Sequence, residues 1–246
     1  MSEPLDRETF NRESLYVIAR APRAGFAKTR LGATIGHERA VYLYRAFLED
    51  LAARFSVPRF RLGWYITPPD GWPEISSLVE GSGHVVFQGE GDLTERQRDL
   101  FRLAGSRGES PVVLMAADSP HLETEVVEEA FRRLRTGDDI VVGPTYDGGY
   151  YLIGMSHPHD VLDGPMSTGF ELDGLRERAE RAGLSVGLLE ATFDVDLEED
   201  LRWLIPHATS RTDLPATRAA LESLGFLEQA KLEDVGRLEK ERFTSP

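Results

Sequence analysis

The chain has 246 residues, of which 41% are hydrophobic and 9% aromatic, a length and composition suited to one generous globular domain and unlike a disordered polypeptide. Its 28 basic and 42 acidic residues give a formal charge of −14, which argues against nucleic acid as a partner, since phosphate backbones are bound by Lys/Arg surfaces. It has no cysteines, which excludes disulfides and thiolate metal sites, and apolar runs such as 111–117 are too short to span a bilayer; the expected location is cytoplasmic.

Residues 1–13 read as a polar, acidic leader without the apolar stretch of a signal peptide. A first strand is expected at 15–19, followed by an amphipathic helix over 38–55 with Val41, Tyr44, Phe47, Leu48 and Leu51 on one side. Residues 60–66 predict a second strand, 68–71 a Pro-Pro-Asp-Gly turn, and 84–88 a short third strand. Next comes a helix over 93–103 with Asp92 as N-cap, then a continuous apolar strand at 111–117, the pattern of a strand covered on both faces. A helix at 123–134, strands at 140–142 and 150–153, a helix at 172–182, a strand at 184–189 and a helix at 197–205 follow. Helical pieces at 215–224 and 227–242 complete the chain. Strands alternating with helices predict an α/β domain with a mostly parallel sheet wrapped on both faces. We divide it into a domain at 14–206 and a C-terminal helical extension of the same domain at 207–246.

In such sheets ligands sit beyond the carboxyl ends of the strands. Four motifs fall there. Residues 19–31 (Ala19, Arg20, Pro22, Gly25, Lys28 and Arg30 among them) form a cationic loop leading into a helix, suited to phosphate. The spacing is neither G-x-x-x-x-G-K nor G-x-G-x-x-G, which excludes a Walker loop and a dinucleotide fingerprint. Of 28 basic residues only Lys28, Lys231 and Lys240 are lysines, so Lys28 marks a position wanting a compact, flexible charge instead of a planar fork. Asp118 ends the buried fourth strand, as a metal ligand or as a helix cap. Asp147, Gly148, Gly149 and Tyr150 form a Gly-rich turn that permits a hairpin or close approach to a ligand. Asp194 and Asp196 alternate on one face of an extended segment, positioned to complete a metal shell; Asp196 is also the expected cap of the next helix. His157 and His159 read as solvated surface, and Ser119 and Ser167 lack a histidine spaced for a triad.

Taken together, the stretch from Arg20 to Leu31 resembles the opening of the bacterial "rSAM/selenodomain-associated transferase 1" family, and 88–96, 117–122, 143–154 and 194–201 resemble its later motifs in the same order. These are GT-A-like nucleotide-diphospho-sugar transferases, with an arsenosugar-biosynthesis glycosyltransferase subgroup. The resemblance implies that Lys28 and Arg30 contact phosphate and that Gln88, Gly91, Asp92 and Arg96 approach the nucleobase. It further implies that Asp118, with Asp194 or Asp196, binds Mg²⁺ or Mn²⁺. Arg20 stands where the family usually has Lys, and Ala116 where many GT-A glycosyltransferases have the first Asp of a D-x-D pair. The leading expectation is sugar transfer from a nucleotide-diphospho-sugar to a small acceptor. Nucleotidyl transfer with release of pyrophosphate is the alternative, and a non-catalytic nucleotide-binding module the third. No motif specifies the nucleobase, the sugar, the acceptor or an oligomeric state.

Overall fold

The computed structural model describes residues 13–230 and 232, apart from 58 and 167. Most of the polar leader, Ser167, Lys231, Lys240 and the greater part of the expected helix at 227–242 therefore lie outside the described residues. Seven strands form one sheet in the order β3-β2-β1-β4-β6-β5-β7. They are β1 (Ser14–Arg20), β2 (Arg61–Thr67), β3 (His84–Phe87), β4 (Val112–Ala116), β5 (Ile140–Pro144), β6 (Tyr150–Met155) and β7 (Val186–Leu188). All neighbours pair in parallel except β6, which runs antiparallel to both β4 and β5. The reversal comes from the Gly-rich turn: β5 and β6 are a hairpin joined by residues 145–149.

The helices are α1 (Thr29–Ile35), α2 (His37–Phe55), α3 (Trp72–Ser76), α4 (Leu93–Ser106), α5 (Thr124–Thr136), α6 (Glu171–Arg181), α7 (Leu201–Ser210) and α8 (Pro215–Ser223). The continuous apolar strands need cover on both sides, and they receive it. On one face Leu31, Leu43, Phe47, Phe131, Leu204 and Leu221, from α1, α2, α5, α7 and α8, pack on Val17, Trp64 and Met115. On the other, Leu100, Phe101 and Ala104 of α4 and Leu175 and Ala179 of α6 cover Tyr16, Tyr65 and Leu114. Two helices escape the sequence signals. The stretch forming α1 lacks a capping side chain and starts from Lys28 in the left-handed region, at φ 50° and ψ 44°. The five residues of α3 carry a proline in the first turn and follow directly on the Pro-Pro-Asp-Gly turn cluster.

The caps decide how the crevice loops are aimed. Asp92 accepts from Glu95 N at 2.8 Å while the Glu95 carboxylate accepts from Asp92 N at 2.8 Å, the reciprocal box expected from D-x-x-E. The expectation that Asp196 caps the next helix is not met. The turn leading into α7 has Leu197 at its N-cap position, and the Asp200 carboxylate reaches back to accept from the backbone N–H groups of Asp196 (2.9 Å) and Leu197 (2.7 Å). Asp196 is thereby left free to point elsewhere. Asp118 is not a cap either, since α5 begins six residues later at Thr124. Buried Asp50 of α2 accepts from Ala216 N and Thr217 N at 3.0 and 2.8 Å, pinning the start of α8 to the domain.

Candidate functional site

A crevice of about 670 Å³ opens across the carboxyl ends of β1, β2, β3 and β4 and the amino end of the reversed β6. Its lining includes Ala19, Arg20, Lys28, Arg30, Gln88, Gly91, Asp92, Arg96, Asp118, Asp147, Gly149, Tyr150, Asp194 and Asp196, so most of the residues singled out from sequence converge on one space. Three do not line it. Pro22 is buried beneath the loop, and Gly25 (φ +74°) sits exposed at the bend with open space where a Cβ would go. Gly148 (φ +91°) abuts the Gly169 carbonyl, where a Cβ would come within 2.1 Å of the oxygen. These residues shape loops and do not line the crevice.

The centre of the site is Lys28. Its left-handed backbone, the one positive φ outside glycine among the described residues, turns the side chain inward until it is 3% exposed. The ammonium lies 2.5 Å from Asp118 Oδ1, 2.6 Å from the Val195 carbonyl and 3.3 Å from Asp196 Oδ1. Arg30 pairs with the other Asp196 oxygen at 3.1 Å. Burial pulls the Lys28 pKa down, but Asp118 and Asp196 more than offset it and the group is held above its ordinary value. Burial pushes the Asp118 carboxyl up and Lys28 pulls it back. The net direction is upward, although the Asp118 side chain keeps 39% of its surface open to solvent and has an ammonium at 2.5 Å. Asp194 lacks such a cation. Burial first, then the charges of Asp196, Asp147 and Asp118, raise its pKa to about 7.

The acids are positioned by the backbone itself. The Val195 N–H donates to the Asp118 carbonyl at 2.9 Å, tying the end of β4 to the 194–196 segment. Beneath that tie, His121 stacks on Phe193 at 3.9 Å between ring centroids and shares a hydrogen bond with the Thr192 hydroxyl at 2.9 Å. Burial lowers the His121 pKa to about 3, so it packs as a neutral ring. Opposite the acids, Gln88 spends both amide hydrogens on structure, donating to the carbonyls of Tyr65 (2.8 Å) and Ala19 (3.3 Å). Its Oε1 faces an Arg96 amino group at 3.4 Å, and Arg96 Nε is buried with no protein partner. Arg96, not Gln88, is the side chain in this loop with donors to offer. In the hairpin turn, Asp147 accepts from the Thr145 hydroxyl and from Gly149 N, closing the turn on itself.

Sequence reading missed several residues of the wall. Tyr44 lies under the Lys28 ammonium, 5.9 Å from it to ring centroid, and its hydroxyl accepts from Arg20 N at 3.1 Å. On a helix its spacing is indistinguishable from that of a core residue. Gln97 is buried on α4 and accepts from the Tyr150 hydroxyl at 2.8 Å; Met166 and Glu171 complete that side. A buried glutamine one position beyond Arg96 on an otherwise amphipathic helix was the available signal. Among the described residues no three His, Asp or Glu side chains come together at metal-ligand spacing.

This architecture is the nucleotide-diphospho-sugar transferase fold, and the chain is a transferase of that fold. Residues 53–168 match the family described as "Uncharacterized protein conserved in bacteria (DUF2064)". A curated relative, 3-phospho-D-glycerate guanylyltransferase of Phenylobacterium zucineum (strain HLK1), is 28% identical over 192 residues, 73% of this chain and 85% of the relative. A solved structure from Desulfovibrio desulfuricans G20, described as a "putative nucleotide-diphospho-sugar transferase", superposes with a TM-score of 0.78 at 28% identity, covering 89% of this chain and 98% of that one. A cytidylyltransferase from Leptospira borgpetersenii serovar Hardjo-bovis (strain JB197) shares the fold at a TM-score of 0.56 and 13% identity, over 89% and 96% of the two chains. No described helix is long and apolar enough to cross a membrane.

Proposed function

We propose that this protein is a nucleotidylyltransferase that moves a nucleoside monophosphate, guanylyl by analogy with the curated relative, onto a small phosphorylated acid. The observation that carries the reading is the junction at Lys28, where the cationic loop after β1 meets Asp118, two residues beyond β4, and Asp196 within 3.3 Å. A triphosphate lying along that loop meets Arg20, Arg30 and backbone N–H groups on one side and carboxylates on the other. An oxygen of the acceptor phosphate attacks the α-phosphorus, the bond from that phosphorus to the bridging oxygen breaks, and pyrophosphate leaves with its electron pair. Fixed cations beside the leaving group stabilise the charge that develops there.

Mg²⁺ or Mn²⁺ suits this donor set, because such ions are held by one or two carboxylates plus substrate phosphates and need no three-acid cage. Asp118 and one of Asp194 and Asp196 would hold the ion, which when bound neutralises phosphate charge and orients the leaving group. Asp118 and Asp196 already share one cation, the Lys28 ammonium. Around it, Tyr44 and the Val195–Asp118 hydrogen bond fix the walls, Arg96 supplies donors toward the base or acceptor, and Gln97 orients Tyr150.

Sugar transfer is the second reading, favoured by the description of the Desulfovibrio protein; Ala116 at the end of β4 withholds the first acid of a D-x-D pair. The test is incubation with Mg²⁺ and GTP plus 3-phosphoglycerate in one arm and a panel of nucleotide-diphospho-sugars in the other. Acceptor-dependent pyrophosphate supports nucleotidyl transfer. Release of nucleoside diphosphate from the sugar nucleotides, without pyrophosphate in the first arm, refutes it.

A further inference from the structure

We propose that Lys28 is a built-in rival of the divalent cation: it holds Asp118 and Asp196 in the empty enzyme, and nucleotide phosphate frees those carboxylates by giving the ammonium another anion. The inference rests on the metal-dependent nucleotidyl reading above. Its basis is the valence of one ammonium group. Lysine has three N–H donors, and here three protein acceptors lie within 3.3 Å of Nζ: Asp118 Oδ1, the Val195 carbonyl and Asp196 Oδ1. Arg30 takes the second Asp196 oxygen. The two acids best placed for a metal are therefore already neutralised, and a divalent ion gains access to Asp118 Oδ1 only as the ammonium leaves it.

The way out is equally defined. Lys28 caps the start of α1 at the mouth of the cationic loop, between the crevice floor and Thr29 and Arg30, which line the phosphate side. Its stem of four methylenes turns about single bonds, so the ammonium exchanges carboxylates for phosphate oxygens without moving the backbone. A left-handed lysine is costly, and such strain persists where the surroundings over-determine it. Glycine at this position would relieve the backbone and lose the cation. Lys28 thus makes metal binding conditional on nucleotide, which amounts to a coupling free energy between the two ligands.

The experiment measures Mn²⁺ binding by calorimetry and by electron paramagnetic resonance on the full chain, with and without α,β-methylene-GTP. It uses wild type, Lys28→Met and Lys28→Gly, the second variant being suited to the left-handed backbone. Wild type binds Mn²⁺ weakly alone and at least about tenfold more tightly with the analogue, within the usual range for coupled ligands. Both variants bind Mn²⁺ alone about tenfold more tightly than wild type, and the analogue then adds a smaller factor than it adds in wild type, the remainder being the phosphate ligands themselves. Adding Asp118→Asn to either variant abolishes the gain. If the variants fold but bind Mn²⁺ alone no better than wild type, while wild type still responds to the analogue, the rivalry is overturned and the metal reading stands. If wild type binds no Mn²⁺ under either condition, the metal reading falls with it.

Discussion

Asp194 is a crevice acid without a cation of its own, and its burial makes that deficit measurable as stability. Burial, with Asp196, Asp147 and Asp118 nearby, raises its pKa from the ordinary 3.8 to about 7. Between those two values the folded protein binds a proton that the unfolded chain releases, so this group's contribution to stability is fully present below pH 3.8 and is lost as pH rises through 7. At about 1.4 kcal/mol per pH unit the full penalty is about 4 kcal/mol, and partial solvent access reduces it to about 2 kcal/mol. Asp194→Asn removes the charge and keeps the shape. In EDTA at pH 8 the variant is expected to be more stable than wild type by about 2 kcal/mol, or about 4–8 °C in melting temperature for a chain of this size. The difference shrinks toward zero as pH is lowered to 4. Thermal unfolding of both proteins at pH 4, 6 and 8 reads the effect directly. A variant as stable as wild type, or less stable, at pH 8 would refute the argument, as would a difference independent of pH.

Gln88→Ala strands the carbonyls of Tyr65 and Ala19; denaturant unfolding should show a loss of about 1–3 kcal/mol, while competition binding should show the ranking among nucleotides unchanged. Asp118→Asn is expected to keep the fold and remove most Mn²⁺-dependent nucleotide binding, measured by titrating nucleotide with and without the metal. Asp50→Ala frees the first N–H groups of α8 and should cost about 1–2 kcal/mol without changing ligand affinity, which separates the C-terminal helices from the chemistry. Arg96→Met should weaken binding of GTP or of the acceptor by about 1.5–3 kcal/mol, and separate titrations of the two show which ligand Arg96 serves.

The strands and long helices were legible because their apolar spacing is strong and their ends carry chemistry: Asp92 and Glu95 announce α4, and the unbroken run at 112–116 announces a central strand. The short helices α1 and α3 were not, since seven and five residues hold too little periodicity to outweigh weak caps and a proline. The site was legible as a set of strand ends more than as a set of roles. Asp194 and Asp196 do face one space, as alternation requires, but Asp196 is taken up by Lys28 and Arg30 and the N-cap position falls to Leu197. Lys28 stood out by composition, yet its direction is set by a left-handed φ and by acids 90 and more positions away. Gln88 and Tyr44 carry no sequence signal that tells a structural hydrogen bond from one made to a ligand.

The backward strand β6 gives the crevice a replaceable lip. Because the chain enters and leaves the 145–149 turn through two strands paired to each other, the turn is anchored at both ends in the rigid sheet, with a further tie from Leu172 N of α6 to the Gly148 carbonyl at 3.3 Å. Changes there alter what faces the acids without disturbing the phosphate loop on the far side of β1. Any transplanted turn, however, must keep a residue without a Cβ at position 148, where the Gly169 carbonyl leaves no room.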